Sequence, residues 1–217
     1  MNCNFIEFNE GDFLVKVLES KKEREQAYML RHEIFCCELK WVNKKDDGRE
    51  IDAYDNNSIL LGVFDERKEL IGIARLIFSY MPMMIEKEFS ELVSPFHRIQ
   101  KNINTAEVTR LGIRKLMRKK SKRQAVMAIY KGIYLWSILN DVRYLYLVAE
   151  KKMFRAFTIT GFPCKRIGPV VKLKGGVESL AAKLDWREFE KTSKLYSYFL
   201  QGNNLQLEGF GHRMAAG

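Results

Sequence analysis

The stretch TAEVTRLGIRKLMRKKSKRQAVMAIYKGIYLWSILNDVRYLYLVA, residues 105–149, carries the decision about the fold. Residues 105–113 read as a strand, which Glu107 and Arg110 interrupt with charge. Residues 114–123 are strongly basic. Residues 124–139 read as a buried helix, interrupted by Lys131 and short of the roughly 20 apolar residues that span a bilayer. Residues 144–149 are strongly apolar, as a central strand is.

Working outward, residues 13–17 read as a first strand. Ser20, with Glu23 three residues on, caps a helix running to about Glu38, with Ala27, Leu30, Ile34 and Cys36 or Cys37 on one face. Residues 40–57 form a long polar loop, and long loops in compact domains often carry function. Residues 58–64 and 70–78 pair around the turn Asp65-Glu66-Arg67-Lys68. Residues 81–94 contain a short helix around residues 86–92. Downstream, residues 151–160 form a helix ended by Gly161, and residues 164–173 are extended. Residues 176–200 are assigned to helix, and residues 1–10 and 201–217 are peripheral and frayed. Strands and helices thus alternate within one domain, residues 1–217, which implies an α/β (α+β) fold with a mixed central sheet flanked by helices.

The 217 residues carry a net charge of +10, and the 47% hydrophobic content excludes a disordered chain. A basic surface recruits acidic partners or only keeps the protein soluble. The four cysteines, Cys3, Cys36, Cys37 and Cys164, lack metal spacing and read as reduced thiols. With no secretory leader and no membrane-spanning run, a cytoplasmic location is expected.

Charge inside apolar segments marks the candidate site. Arg75 lies within Leu70-Ile71-Gly72-Ile73-Ala74-Arg75-Leu76-Ile77, and an unpaired buried charge is very costly, so it needs Asp52, Asp55 or Glu107. The alternatives are a purely structural ion-pair network and a polar pocket for a zwitterion, in which an arginine fork holds a carboxylate and aspartates hold an ammonium. Glu107 and Arg110 are three apart and face opposite sides of a regular strand. If both line one pocket, a bulge near Val108 or Thr109 is required, and it would expose amides able to stabilise an oxyanion.

These residues carry a family resemblance. Leu30-Arg31-His32-Glu33-Ile34-Phe35, then Trp41, Glu50-Ile51-Asp52-Ala53-Tyr54-Asp55, Gly72-Ile73-Ala74-Arg75-Leu76 with Phe89, Glu107-Val108-Thr109-Arg110, and Gly161-Phe162-Pro163 with Arg166-Ile167-Gly168-Pro169 resemble, in order, the autoinducer (acyl-homoserine-lactone) synthases and the related long-chain N-acyl amino acid synthases. The match covers roughly residues 14–173. It implies a GNAT-like acyltransferase fold, direct acyl transfer, no permanently bound cofactor or metal, and an acyl-phosphopantetheine donor on acyl carrier protein. Residues 77–86 and the Leu111-Gly112-Ile113 stretch before the basic segment favour the amino acid branch, with S-adenosylmethionine as the alternative acceptor; Trp41 points the other way.

On this resemblance Glu107 is either the general base or a holder of Arg110 or Arg31. Arg31, Arg75 and Arg110 bind the acceptor carboxylate or frame the pocket, Asp52 and Asp55 orient the amine, and Phe35 and Trp41 wall the site or are core. Arg114, Lys115, Arg118, Lys119, Lys120, Lys122 and Arg123 either dock the acidic carrier protein or form a solvated basic face. A basic nucleic-acid-binding module is the remote alternative; the chain shows no helix-turn-helix, zinc finger or RNA-binding aromatic signature, and no nucleic acid is expected.

Overall fold

A computed structural model describes residues 4–115, 119–173, 175–189, 191 and 193–201. Eight strands form one sheet: β1 (Glu7–Glu10), β2 (Phe13–Val17), β3 (Ile59–Phe64), β4 (Leu70–Phe78), β5 (Thr105–Ile113), β6 (Tyr144–Glu150), β7 (Cys164–Lys172) and β8 (Glu178–Asp185). Their spatial order is β1-β2-β3-β4-β5-β6-β8-β7. Among the described residues only β5 and β6 pair in parallel. The helices are α1 (Lys21–Arg31), α2 (Met84–Lys87), α3 (Lys119–Leu139), α4 (Lys151–Thr160) and α5 (Lys194–Leu200). The mixed sheet and its helices agree with the fold read from the sequence.

Both faces of the sheet are covered, which explains the near-continuous apolar runs of β3 and β4. On one face Ala125, Ala128, Ile129 and Ile133 of α3 pack on Val15, Leu61 and Ala74. On the other, Ala27 and Leu30 of α1 pack on Leu60 and Ile73. The expected Ser20–Glu23 capping box starts α1. Gly161 ends α4 at φ 83°, the left-handed conformation that glycine adopts without strain.

Two expectations are corrected. Residues 7–10 are a strand rather than a frayed end, because β1 pairs in register with β2 from Glu7↔Lys16 to Glu10↔Phe13. Within the segment assigned to helix, residues 178–185 are strand β8, inserted between β6 and β7. Ser179-Leu180-Ala181-Ala182-Lys183-Leu184 has helix-forming composition, but Leu180, Ala182 and Leu184 enter one core and Ala181 the other, so packing overrides propensity. Residues 202–217 of the peripheral tail lie outside the described residues.

Lys131, buried within α3, donates to Glu10 Oε2 of β1 and to the Gln201 carbonyl just beyond α5. Its ammonium also stands over the rings of Phe8 and Tyr198.

β7 kinks between Arg166 and Val170, where its pairing register shifts. There the Ile167 carbonyl accepts from the Ser94 amide, and a Cβ on Gly168 would stand 2.0 Å from the Leu92 carbonyl oxygen. Backbone cannot step aside as a side chain can. Gly168→Ala is therefore expected to destabilise the fold by about 2–3 kcal/mol or more, read as a lowered urea midpoint with an unchanged m-value.

Candidate active site

The sheet opens at its one parallel seam. β5 and β6 pair from Thr105↔Tyr144 to Val108↔Leu147 and then part, β5 following β4 and β6 following β8. A bulge sits at this fork: Ile73 faces Gly112 and Arg75 faces Thr109, so Arg110 and Leu111 together oppose Ala74. Arg110 takes φ 50°, a left-handed conformation that is rare away from glycine. The bulge lies just past the expected Val108–Thr109 position, and it turns Arg110 to the same cavity as Glu107.

That cavity, of about 950 Å³, passes through the fork. On the α1 side its wall is polar and includes Asp52, Tyr54, Glu88, Glu107 and Arg110. On the α3 side its wall is apolar and includes Val126, Ile129, Ile133, Leu145, Leu147 and Phe157.

Behind the polar wall lies an ion-pair lattice of three arginines and three carboxylates. Arg31 donates to Glu50 Oε2 at 2.6 Å and to both oxygens of Asp55. Arg75 donates to Asp52, to Asp55 at 2.9 Å and to Thr109 Oγ1 at 2.9 Å. Arg110 donates to Glu50 at 3.0 and 3.1 Å and to Asp52 at 3.0 Å. Arg31, Arg75 and Asp55 are buried, and none of the three lines the cavity. Burial alone would raise the Asp55 pKa, but the Arg31 hydrogen bonds and the Arg31 and Arg75 charges outweigh it and hold the carboxyl below its usual range.

Glu107 is held differently. It accepts from the backbone amides of Met84 at 2.7 Å and Ile85 at 2.8 Å, rather than holding Arg110 or Arg31. Burial pushes its pKa up to about 7, against the lowering effect of those amides and of Arg75. A carboxyl that titrates near neutrality at the rim of a cavity is suited to accept a proton.

Phe35 and Trp41 reach the cavity because α1 continues into a π-helical turn, His32–Glu38. The Phe35 carbonyl accepts from the amides of both Trp41 and Val42, which folds the following loop back and sets the two rings 6.2 Å apart. Such widened turns recur at functional sites. Cys36 is buried, and that burial raises its thiol pKa, the opposite of nucleophile activation.

The basic run divides. Lys115 and Lys122 line the cavity. Arg114 pairs with Glu33 and Glu69 instead. Arg123 is exposed, Arg118 lies outside the described residues, and Lys119 and Lys120 open α3. Glu50 was missed as a site residue, although it begins the acidic run 50–55: it bridges Arg31 and Arg110 while 2% exposed. The Met84 and Ile85 amides have no side-chain signature to be read from a sequence. Among the described residues no group of three or more His, Cys, Asp or Glu is placed to hold a metal, and no helix is long and apolar enough to cross a membrane.

A sheet forked at a parallel seam, with a near-neutral carboxyl at the fork and an apolar chamber beneath it, defines a GNAT-like acyltransferase. Its likeness to solved structures agrees: a CoA-dependent acyl-homoserine lactone synthase, BjaI, solved with SAM and isopentyl-CoA, superposes with TM-score 0.69 at 21% identity over 81% of each chain. The chain belongs to the autoinducer synthase family, whose model matches residues 15–193. An acyl-homoserine-lactone synthase of Rhizobium radiobacter is 28% identical over 77% of this chain and 81% of its own length.

These findings overturn the preference for the N-acyl amino acid branch. The matching family model is that of the autoinducer synthases, and the Rhizobium radiobacter relative is an acyl-homoserine-lactone synthase. FeeM, an N-acyl amino acid synthase from uncultured soil microbes, superposes with TM-score 0.55 at 15% identity, over 86% of this chain and 99% of its own.

Proposed function

We propose that this acyltransferase joins an acyl group to the amine of S-adenosylmethionine and releases an acyl-homoserine lactone. The observation that carries this reading is the sign of the polar wall. The lattice's three arginines are balanced by Glu50, Asp52 and Asp55, with Arg31 and Arg75 standing behind the wall, so Glu88 and Glu107, which face the cavity beside Asp52, give the wall its negative sign. Arg110 is the arginine of this lattice that faces the cavity. Such a wall suits a substrate with two cations, an ammonium and a sulfonium, and one carboxylate for Arg110.

In the proposed step the amine nitrogen attacks the thioester carbonyl at the fork. The C–S bond breaks, and the proton lost by the nitrogen passes to Glu107 and from there to the departing sulfur, so that the pantetheine arm leaves as a thiol and Glu107 is regenerated. The acceptor carboxylate then attacks the carbon bearing the sulfonium, whose neutral thioether departs as the lactone ring closes. The carboxylates of the wall stabilise the acceptor's cationic form, while Phe35 and Trp41 enclose it.

The donor in this reading is an acyl-phosphopantetheine on acyl carrier protein, and Lys115 and Lys122 at the cavity support it, because carrier proteins are acidic. Reversing both charges (Lys115→Glu with Lys122→Glu) is expected to raise KM for a carrier-borne donor about tenfold, and more at low salt. A small pantetheine thioester should suffer a smaller rise. Equal rises for both donors would remove these lysines from carrier docking.

Mass spectrometry of the purified enzyme's products tests the whole reading. Acyl-homoserine lactone formed from S-adenosylmethionine and an acyl thioester is the expected result. An open-chain amide, or no product from a folded protein, would refute it.

A further inference from the structure

We infer that the apolar chamber takes a straight acyl chain of about eight to ten carbons, and that helix α5 sets this limit from outside by bracing Trp186 as the chamber floor. This rests on the acyl-transfer reading above, but not on the identity of the acceptor.

The fork fixes where the thioester carbon sits, and two rulers run from it into the chamber. On α3, the chamber-lining side chains extend from Val126 to Ile133, a span of about 10 Å at the helical rise. On β6, they extend from Ala149 to Leu145, about 13 Å at the rise of a strand. With single bonds of about 1.5 Å at tetrahedral angles, an extended alkyl chain advances about 1.25 Å per carbon. The two spans therefore bracket about eight to ten carbons.

At the far end β6 pairs Leu145 with Leu184 of β8, and Trp186 follows directly on that strand. Trp186 lines the cavity and is 6% exposed. Its ring is met edge-on by Tyr134 at 5.0 Å and at a tilt of 43° by Phe189 at 5.7 Å. Both of those rings rest on Phe199 of α5, at 5.3 and 5.5 Å. Phe199 and Tyr134 are not among the residues lining the cavity. Phe199 is thus a positioning residue: it reaches the acyl chain through Trp186 and through Phe162, which lines the cavity 5.8 Å from it.

The test uses the full chain and non-hydrolysable thioether analogues of S-acyl-pantetheine, in a ladder from four to about sixteen carbons, titrated calorimetrically without acceptor. Affinity should rise about fourfold per added carbon up to about eight to ten carbons, then fall. Phe199→Ala is expected to move that limit upward by one carbon or more, and Phe199→Leu to move it less. Ile133→Phe, which fills the chamber end, is expected to lower it. Circular dichroism and thermal melts identify the variants that fold, and Ile133→Phe keeps the test alive if Phe199→Ala does not. Affinity that keeps rising to sixteen carbons, or a limit that stays fixed in folded Phe199 variants, overturns the inference. A length limit without lactone formation from S-adenosylmethionine would instead refute the acceptor reading and leave this one standing.

Discussion

Replacing Arg75 by alanine is expected to cost the protein about 3–5 kcal/mol of stability, because one partner of a buried ionic lattice is removed and its counter-charges stay behind. Asp55, 1% exposed, would keep only Arg31, and Asp52 would keep Arg110. Arg75→Lys should recover little, since one ammonium cannot reproduce the fork that now serves Asp52, Asp55 and Thr109 together. Acid sharpens the contrast. The Asp55 pKa is depressed in the folded state, so its contribution is present above the unfolded value of about 3.9 and lost as pH falls through the folded one. The wild type should therefore lose this stabilisation only below about pH 4, whereas Arg75→Ala should lack the part supplied by the Arg75 charge at neutral pH already and keep the larger part that Arg31 supplies. Urea titrations at pH 7 and at about pH 3, below the unfolded value, measure both effects, and an Arg75→Ala protein as stable as wild type would show the lattice to be dispensable.

Glu107→Gln should lower kcat by about two to four orders of magnitude, the usual worth of a positioned general base. In the wild type kcat/KM is expected to climb as pH rises through about 7, as the carboxyl ionises. The variant should lose that limb altogether. Its stability should change little at neutral pH, for two opposing reasons. The raised pKa means that ionising Glu107 penalises the fold increasingly from about pH 4.5 to 7, and glutamine removes that penalty. Against this, the glutamine NH2 would face the Met84 or Ile85 amide, leaving one N–H without an acceptor at a cost of about 1–3 kcal/mol. A slowed variant that kept the wild-type pH limb would assign the proton to another group.

The sequence made the sheet legible where side chains decide the backbone. Residues 70–78 and 105–113 read as the strands that form, because charge set in an apolar run forces partners to be found. The need for a bulge followed from the three-residue spacing of Glu107 and Arg110, and its placement at Arg110 follows from pairing with β4, a contact far away in sequence. β8 was hidden because alanine, lysine and leucine favour a helix until β6 and β7 offer edges on both sides. The site divided in the same way. Arg31, Asp55 and Arg75 were found by their charge, but a sequence does not say which side of a wall a guanidinium occupies. The preference between branches of the family turned on residues 77–86 and 111–113, too little to fix the acceptor.

Lys131 gives α3 a second duty. One face of that helix lines the acyl chamber, while its buried ammonium fastens the first strand and the end of α5 to the same rod. Substrate gauge and chain fastening are thus mechanically one part. A protease or a fused tag that tugs at either fastened segment pulls on the wall that measures the acyl chain, so damage remote from the fork can surface as a change in which product is made before it surfaces as unfolding.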